Sequence, residues 1–543
     1  MKRFVALVLA LTLAATLVAC SNGDNKNEQN PPAENTPAIK VDDATSSDVE
    51  SATFDKPTKI TAAIASCDTL APYQMGAITR DFLLYEPLWA IGEDLATLEG
   101  VIAKEWTING DTVDVEIYDY VTDSEGNAIT ASDVVFSFNT CMASGAFFKR
   151  YFDSIEQTGE YSVKIKYTCD VYPVLLASTV RVNIVDEDTY DADRFVNDPV
   201  GTGHYVVKEF TAGQSVVVEK RDDYWQTDES LVNYCYVANA DVVELDVITE
   251  SAQIQNGLET GNLQIGAVTA NIKADIEAKD KGLAVTTRYG KYNHQLMLNC
   301  YQGVLSESKE LRQAVCYAID SAALAYACTG GTGSVTYCEG MGPNIAGYQE
   351  SWETEDYYNY NVEKAKELVK AAGYDPAGTG ITLKWLGKNS EDCKTCSETI
   401  QAFLRQIGIE MQIENLDNTT YMARRNAYDE SAWDLAFTDG VPKGNYILGV
   451  SSSIDITAYE KGNAYGGTNE EIQALLQEGM YNLTDETCDA IHQLLKEECG
   501  LYGLYLDYDF WGHDANISLV TGNDGEVSVG ASVIAADYNV FAG

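Results

Sequence analysis

The chain has 543 residues, 45% of them hydrophobic, and sets 83 acidic side chains against 36 basic ones, for a formal net charge of −47. Such a surface repels nucleic acid and anionic lipid headgroups, and no nucleic acid is expected as a partner. The length exceeds what a single hydrophobic core serves, which predicts two or more lobes.

In chain order, Lys2 and Arg3 come first, then an apolar run over 4–16, then Leu17-Val18-Ala19-Cys20 and the polar Ser21 and Asn22. A basic head, a short apolar core and a small-residue cleavage site predict a secretory signal over 1–20. The run falls short of the roughly 20 residues that cross a bilayer. Its Leu-x-Ala-Cys end resembles the lipobox of bacterial lipoproteins. That resemblance implies an acylated Cys20 and a lipid anchor on the extracytoplasmic face of the cell membrane. Residues 21–52 hold almost no large apolar group and are expected to form a flexible tether.

From Lys59, KITAAIAS reads as a strand, followed by a loop and a helix over 77–84. WTINGDTVDVEIYD alternates around Asn109-Gly110 and predicts a hairpin. Asp123 to Asn127 is a turn, and Thr130 with Asp133 marks a helix start. GHYVVKEF and SVVVEKR flank Ala212-Gly213 as a second hairpin. VVELDVI, a helix over 251–259 closed by Gly261, and LQIGAV form a βαβ-like unit. Helices are predicted over 311–327, 361–372, 397–407 and 485–499. Strands are predicted over 381–386 and 409–413, and the tail is β-rich.

Catalytic constellations are sparse. The four histidines, His204, His294, His492 and His513, show no H-E-x-x-H spacing, and no G-x-S-x-G elbow occurs. Ser306 to Lys309 matches S-x-x-K without its partner motifs. Cys393-x-x-Cys396 lacks a second ligand pair for zinc and reads as structural. Gly201-Thr202-Gly203 reads as a tight turn between strands. Arg312 and Asp320, on the alanine-rich segment, read as structural. No cofactor, metal or catalytic residue is expected. Of 13 cysteines, 12 follow Cys20; Cys316 and Cys328 sit in apolar contexts and read as small core residues. Their redox state is left open.

Eight ordered blocks resemble one family, the extracytoplasmic peptide/nickel-type solute-binding proteins of family 5. They are LLYEPLW (83–89), IAKEWTINGDTVDVEIYDYVTDSEGNAITASDVVFSFN (102–139), DPVGTGHYVVKEFTAGQSVVVEKRDDYW (198–225), LETGNLQIGAV, LRQAVCYAID, VEKAKELVKAAGY, LRQIGIEMQIE and WDLAFTDG. The resemblance implies an α/β fold, a periplasmic-binding-protein type II-like two-lobed clamp with a small inserted domain. Lobe I is expected from 53–90, 195–292 and 490–543, the insert from 91–194 and lobe II from 293–489. It also implies a short peptide or other small solute as ligand and an ABC permease and ATPase complex as partner, with binding and no catalysis. An oligosaccharide or an anionic solute is the alternative ligand.

Three positions depart from the family pattern. TDSEGN lacks the usual histidine, and His204 replaces a proline. Lys443 stands where oligopeptide binders place the aspartate that pairs the peptide amino terminus; a lysine repels an ammonium, and Asp439 is the nearby substitute. Candidate ligand contacts are Tyr73, Gln74 and Met75 after the first strand, Trp385, then Asp439, Gly440 and Lys443, and finally Tyr508 and Trp511. Aromatic rings give large contact area with few torsions to freeze.

Overall fold

The computed structural model describes residues 58–73, 83–93, 97–144, 149, 151–171, 182–279, 282–290, 292–378, 380–426, 433–440, 445–454, 469–521 and 527–534. The expected signal, Cys20, the whole tether and most of the 77–84 helix lie outside them, as do Gln74, Met75 and Lys443. Among the described residues no helix is long and apolar enough to cross a membrane.

The strands, in chain order, are β1 (Lys59–Ile64), β2 (Trp89–Ile91), β3 (Leu98–Gly100), β4 (Ala103–Asn109), β5 (Thr112–Ile117), β6 (Phe152–Gly159), β7 (Ser162–Tyr167), β8 (Tyr205–Thr211), β9 (Ser215–Lys220), β10 (Val242–Val247), β11 (Ile265–Val268), β12 (Leu283–Tyr289), β13 (Asn293–Leu298), β14 (Ile381–Lys388), β15 (Ile409–Leu416), β16 (Leu435–Gly440), β17 (Leu501–Tyr505) and β18 (Tyr508–Asp514). Sixteen of them build a seven-stranded sheet in the order β12-β18-β11-β1-β10-β9-β8, a five-stranded sheet β15-β14-β16-β13-β17 and a four-stranded sheet β4-β5-β7-β6; β2 pairs with β3, and two further short strands, Ile517–Ser518 and Val533–Ile534, pair with each other.

In the four-stranded sheet β5 buries every second residue, Val113, Val115 and Ile117, and β4 half-buries Trp106 and Ile108 between exposed neighbours, on either side of the Asn109-Gly110 turn. Gly110 takes the positive φ, 64°, that the tight turn requires. The helix Ala131–Ala143 packs on β6 and β7. It starts where Asp133 reaches back to accept from the Thr130 amide at 2.7 Å.

In the seven-stranded sheet β1 lies between its parallel neighbours β10 and β11, which the helix Ser251–Thr260 connects. The 201–203 glycines are not a turn between strands. They precede β8 and lie against the backbone of 83–84, where a Cβ on Gly201 would stand 2.0 Å from the Leu84 carbonyl oxygen. Only glycine fits that contact.

The five-stranded sheet is covered by helices that include Ser321–Thr329 and Glu391–Arg405. One helix expected over 311–327 is in fact two, Lys309–Tyr317 and Ser321–Thr329. The break falls at Asp320, whose carboxylate accepts from the Ala323 amide at 3.0 Å and restarts the helix. Arg312 is buried and donates to the carbonyls of Glu498 and Leu305, at 2.9 and 2.8 Å. The 397–407 helix starts earlier, at Glu391, so Cys393 and Cys396 lie inside it.

Chain returns to the seven-stranded sheet at Tyr508 and not at 490. β17 pairs with β13 through Tyr505, so the segment after the Asp485–Glu498 helix still belongs to the five-stranded sheet.

Candidate functional site

Among the described strands the chain passes between the two large sheets twice: from β12, which ends at Tyr289, to β13, which begins at Asn293, and from β17 to β18 through 506–507. The two passages lie side by side. The Gly290 amide donates to the Asp507 carbonyl at 2.9 Å. Leu506 makes a two-way backbone bridge with Ser334, at 2.8 and 2.9 Å, and the Tyr508 hydroxyl hydrogen-bonds the Ser334 hydroxyl at 2.8 Å.

Strand directions place this hinge at a defined edge. β14, β15 and β16 are mutually parallel and end together at Lys388, Leu416 and Gly440, while antiparallel β13 begins there at Asn293. In the other sheet β1, β10 and β11 end at Ile64, Val247 and Val268, beside the end of β12 at Tyr289 and the start of β18 at Tyr508. Both sheets therefore meet the hinge with the carboxyl ends of their parallel strands, the edge where open α/β sheets hold ligands.

Tyr73, on the loop after β1, donates its hydroxyl to the Asn183 carbonyl at 2.9 Å and packs near Tyr190, between two core clusters. Three other candidates sit at that edge. Asp439 and Gly440 end β16. Tyr508 opens β18, its ring 5.5 Å from that of Tyr289. Two tryptophans are elsewhere. Trp385 lies in mid-strand, 1% exposed, with its indole N–H on Asn415 at 3.2 Å and its ring near Phe437. It is part of the second lobe's core rather than a surface offered to ligand. Trp511 lies in mid-β18, packed against the core of the seven-stranded sheet.

The edge holds charges that no motif marked. Lys388 forms an ion pair with Asp439, both side chains being only about a quarter exposed or less. Arg425 donates to the Thr438 hydroxyl at 3.1 Å, and Lys388 and Arg425 flank the Tyr421 ring at 5.8 and 5.6 Å. Asp439 is thus already compensated by a lysine, and a ligand ammonium has to share it. His294 pairs in register with Asp439, stacks on Tyr505 at 4.3 Å and approaches the Asp507 carboxylate at 3.2 Å. A lone Lys388 at a strand end and a lone His294 at a strand start give no signal in sequence. Only the sheet register brings them together. Among the described residues no group of three or more His, Cys, Asp or Glu is placed to hold a metal ion.

Two sequence blocks meet at a buried carboxyl. Glu86 of LLYEPLW is fully buried and accepts from the Tyr224 hydroxyl and, at 2.8 Å, from the Trp225 indole of the DDYW stretch. Burial pushes its carboxyl up to about 7. His204 stacks on Tyr224 at 3.4 Å, and burial, with Lys220 and Arg221 nearby, holds it neutral at about 3. The 204 substitution thus adds a flat, uncharged ring to the wall around Glu86.

Comparison with known proteins agrees with this architecture. Residues 97–453 match the family model described as bacterial extracellular solute-binding proteins, family 5 middle. The glutathione-binding protein GsiB of Salmonella typhi is 25% identical over 374 residues, covering 66% of this chain and 69% of that protein. The crystal structure of a putative peptide binding protein AppA from Clostridium difficile superposes with a TM-score of 0.70 at 18% identity, covering 88% of this chain and all of that one. The oligopeptide-binding protein AppA of Bacillus subtilis, solved with a nonapeptide, gives 0.62 at 18% identity over 88% of this chain and all of its own. The fold is the two-lobed type II binding-protein fold, and the chain belongs to the bacterial extracellular solute-binding proteins of family 5.

Proposed function

We propose that this protein captures a short peptide between its two lobes, without chemical conversion, and delivers it to the permease and ATPase of an ABC importer. The observation that carries the reading is the hinge. Two strand crossings join two sheets whose carboxyl edges both face it, so bending at 290–292 and 506–507 closes one edge on the other around a ligand. The peptide class is supported by relatives that bind glutathione or a nonapeptide. We assign Tyr73, Gln74, Met75, Asp439, Gly440, Lys443 and Tyr508 to the ligand surface. Lobe I comprises 53–90, 195–292 and the chain after Tyr505; the inserted domain is 91–194, and lobe II runs from 293 through β17. Cys20 carries the lipid that holds the protein on the extracytoplasmic face, with 21–52 as tether.

The Lys388–Asp439 pair favours a second reading, an anionic solute, because the lysine offers a carboxylate partner at the same edge. Melting temperature measured against di- to pentapeptides, their N-acetylated forms, sugars, organic anions and metal ions separates the readings, since a ligand selective for the folded state raises it. Peptides should raise it, and Asp439→Asn should weaken the free peptides more than the acetylated ones. Silence with peptides together with a rise for anions or sugars discards the peptide reading and leaves the fold intact. An unchanged ligand affinity in Lys443→Glu removes that residue from the site.

A further inference from the structure

The described residues include twelve cysteines. Two face each other across the second lobe: the sulfurs of Cys316 and Cys499 are 3.3 Å apart, although 183 positions separate the residues. Cys316 lies in the last turn of the helix Lys309–Tyr317, and Cys499 follows the helix Asp485–Glu498 in the left-handed conformation, φ 52°. Both are buried in the same core cluster. Their approach is held by main-chain contacts that do not involve sulfur: Arg312, one turn before Cys316, donates to the Glu498 carbonyl at 2.9 Å, the residue before Cys499. A disulfide bond is roughly 2.05 Å long, so closure needs a sulfur displacement of about 1.2 Å, within reach of the two side-chain torsions. The neighbouring Cys300 is turned to its own main chain, its thiol donating to the Leu298 carbonyl at 3.4 Å.

We propose that Cys316 and Cys499 form a disulfide as the exported chain folds, with a low-molecular-weight disulfide or an oxidised dithiol protein as oxidant. One protein thiolate attacks a sulfur of the oxidant and expels one thiolate. The second protein thiolate then attacks the protein-bound sulfur of the mixed disulfide and expels the other. Two protein thiols lose two electrons, the oxidant gains them, and the two protons pass to the released thiols. The reaction belongs to folding rather than to the finished lobe: once packed, burial raises the Cys316 thiol well above its ordinary range and keeps the attacking thiolate scarce. The bond joins the end of one helix to the segment that leads into β17 and so to the 506–507 crossing.

The test refolds the full chain from urea in a mixture of reduced and oxidised glutathione, blocks free thiols with an alkylating agent and maps the digest by mass spectrometry. The proposal expects the Cys316 and Cys499 peptides joined and lighter by two hydrogens, with Cys141 alkylated. It also expects a melting temperature several degrees above that of the same protein after dithiothreitol. Folded protein with Cys316 and Cys499 both alkylated overturns it, as does either residue joined to another cysteine, Cys300 above all. In Cys316→Ser the dithiothreitol effect on melting should vanish; if that variant does not fold, the wild-type map decides alone. Added glutathione replaces any cellular oxidant, so the outcome is independent of the ligand and export readings.

Discussion

Glu86 shows how a single buried carboxyl couples stability to pH. In the folded chain its pKa rises from 4.5 to about 7, mainly through loss of water, with the Tyr224, Trp225 and Arg221 neighbours pulling the other way. The folded state therefore holds the proton more tightly than the unfolded one. The resulting stabilisation is complete below the unfolded value and is lost as pH rises through about 7. Its upper size is about 3 kcal/mol. Urea midpoints should accordingly fall between about pH 5 and about pH 8, and Glu86→Gln should flatten that part of the profile. A variant profile that parallels the wild type would place the titration elsewhere. The same site explains why two distant sequence blocks occur together: 201–203 lies on the backbone of 83–84, and the 224–225 side chains fill the lone pairs of Glu86.

At the scale of elements, the hinge depends on one missing side chain. A Cβ on Gly290 would stand 1.9 Å from the Asp507 carboxylate. That carboxylate is a movable group, so Gly290→Ala should fold, displace Asp507 from His294 and alter ligand affinity more than melting temperature. Equal losses of both would mean that the glycine serves packing alone. How much of this was legible follows from where local signals exist. Turn chemistry at Asn109-Gly110 and the β10–helix–β11 alternation were readable because each is set by a few adjacent residues. The break at Asp320 carried a capping residue, but the alanine-rich run around it outweighed a single aspartate. The return at Tyr508 was hidden because β17 and β18 form one nearly unbroken β-like stretch, LYGLYLDYDFWGHD, in which no composition change marks the crossing. Trp385 illustrates the opposite error: its ring suggested a ligand platform, whereas its mid-strand position places it in the core. Asp439 was named only for its nearness to Lys443, and its Lys388 partner, 51 positions away, needed the fold.

For the whole molecule the dominant global property is the net charge of −47. Self-repulsion at that charge destabilises the compact state, and exposed ion pairs such as Lys104–Glu116 offset little of it. Raising sodium chloride from about 10 mM to about 150 mM shortens the screening length from roughly 30 Å to roughly 8 Å. Melting temperature should rise over that interval; a fall would show that attractive pairs outweigh the repulsion. The paired crossings at 290–292 and 506–507 also limit the ways in which the two sheets can move. Because the Gly290 amide is bonded to the Asp507 carbonyl, bending one connection alone strains that bond, which favours joint movement. Two connections side by side favour the swing of a door on one axis over the freedom of a ball in a socket. On the proposed closure the chief change is then one angle between the sheets, and a single well-chosen distance between them should follow it.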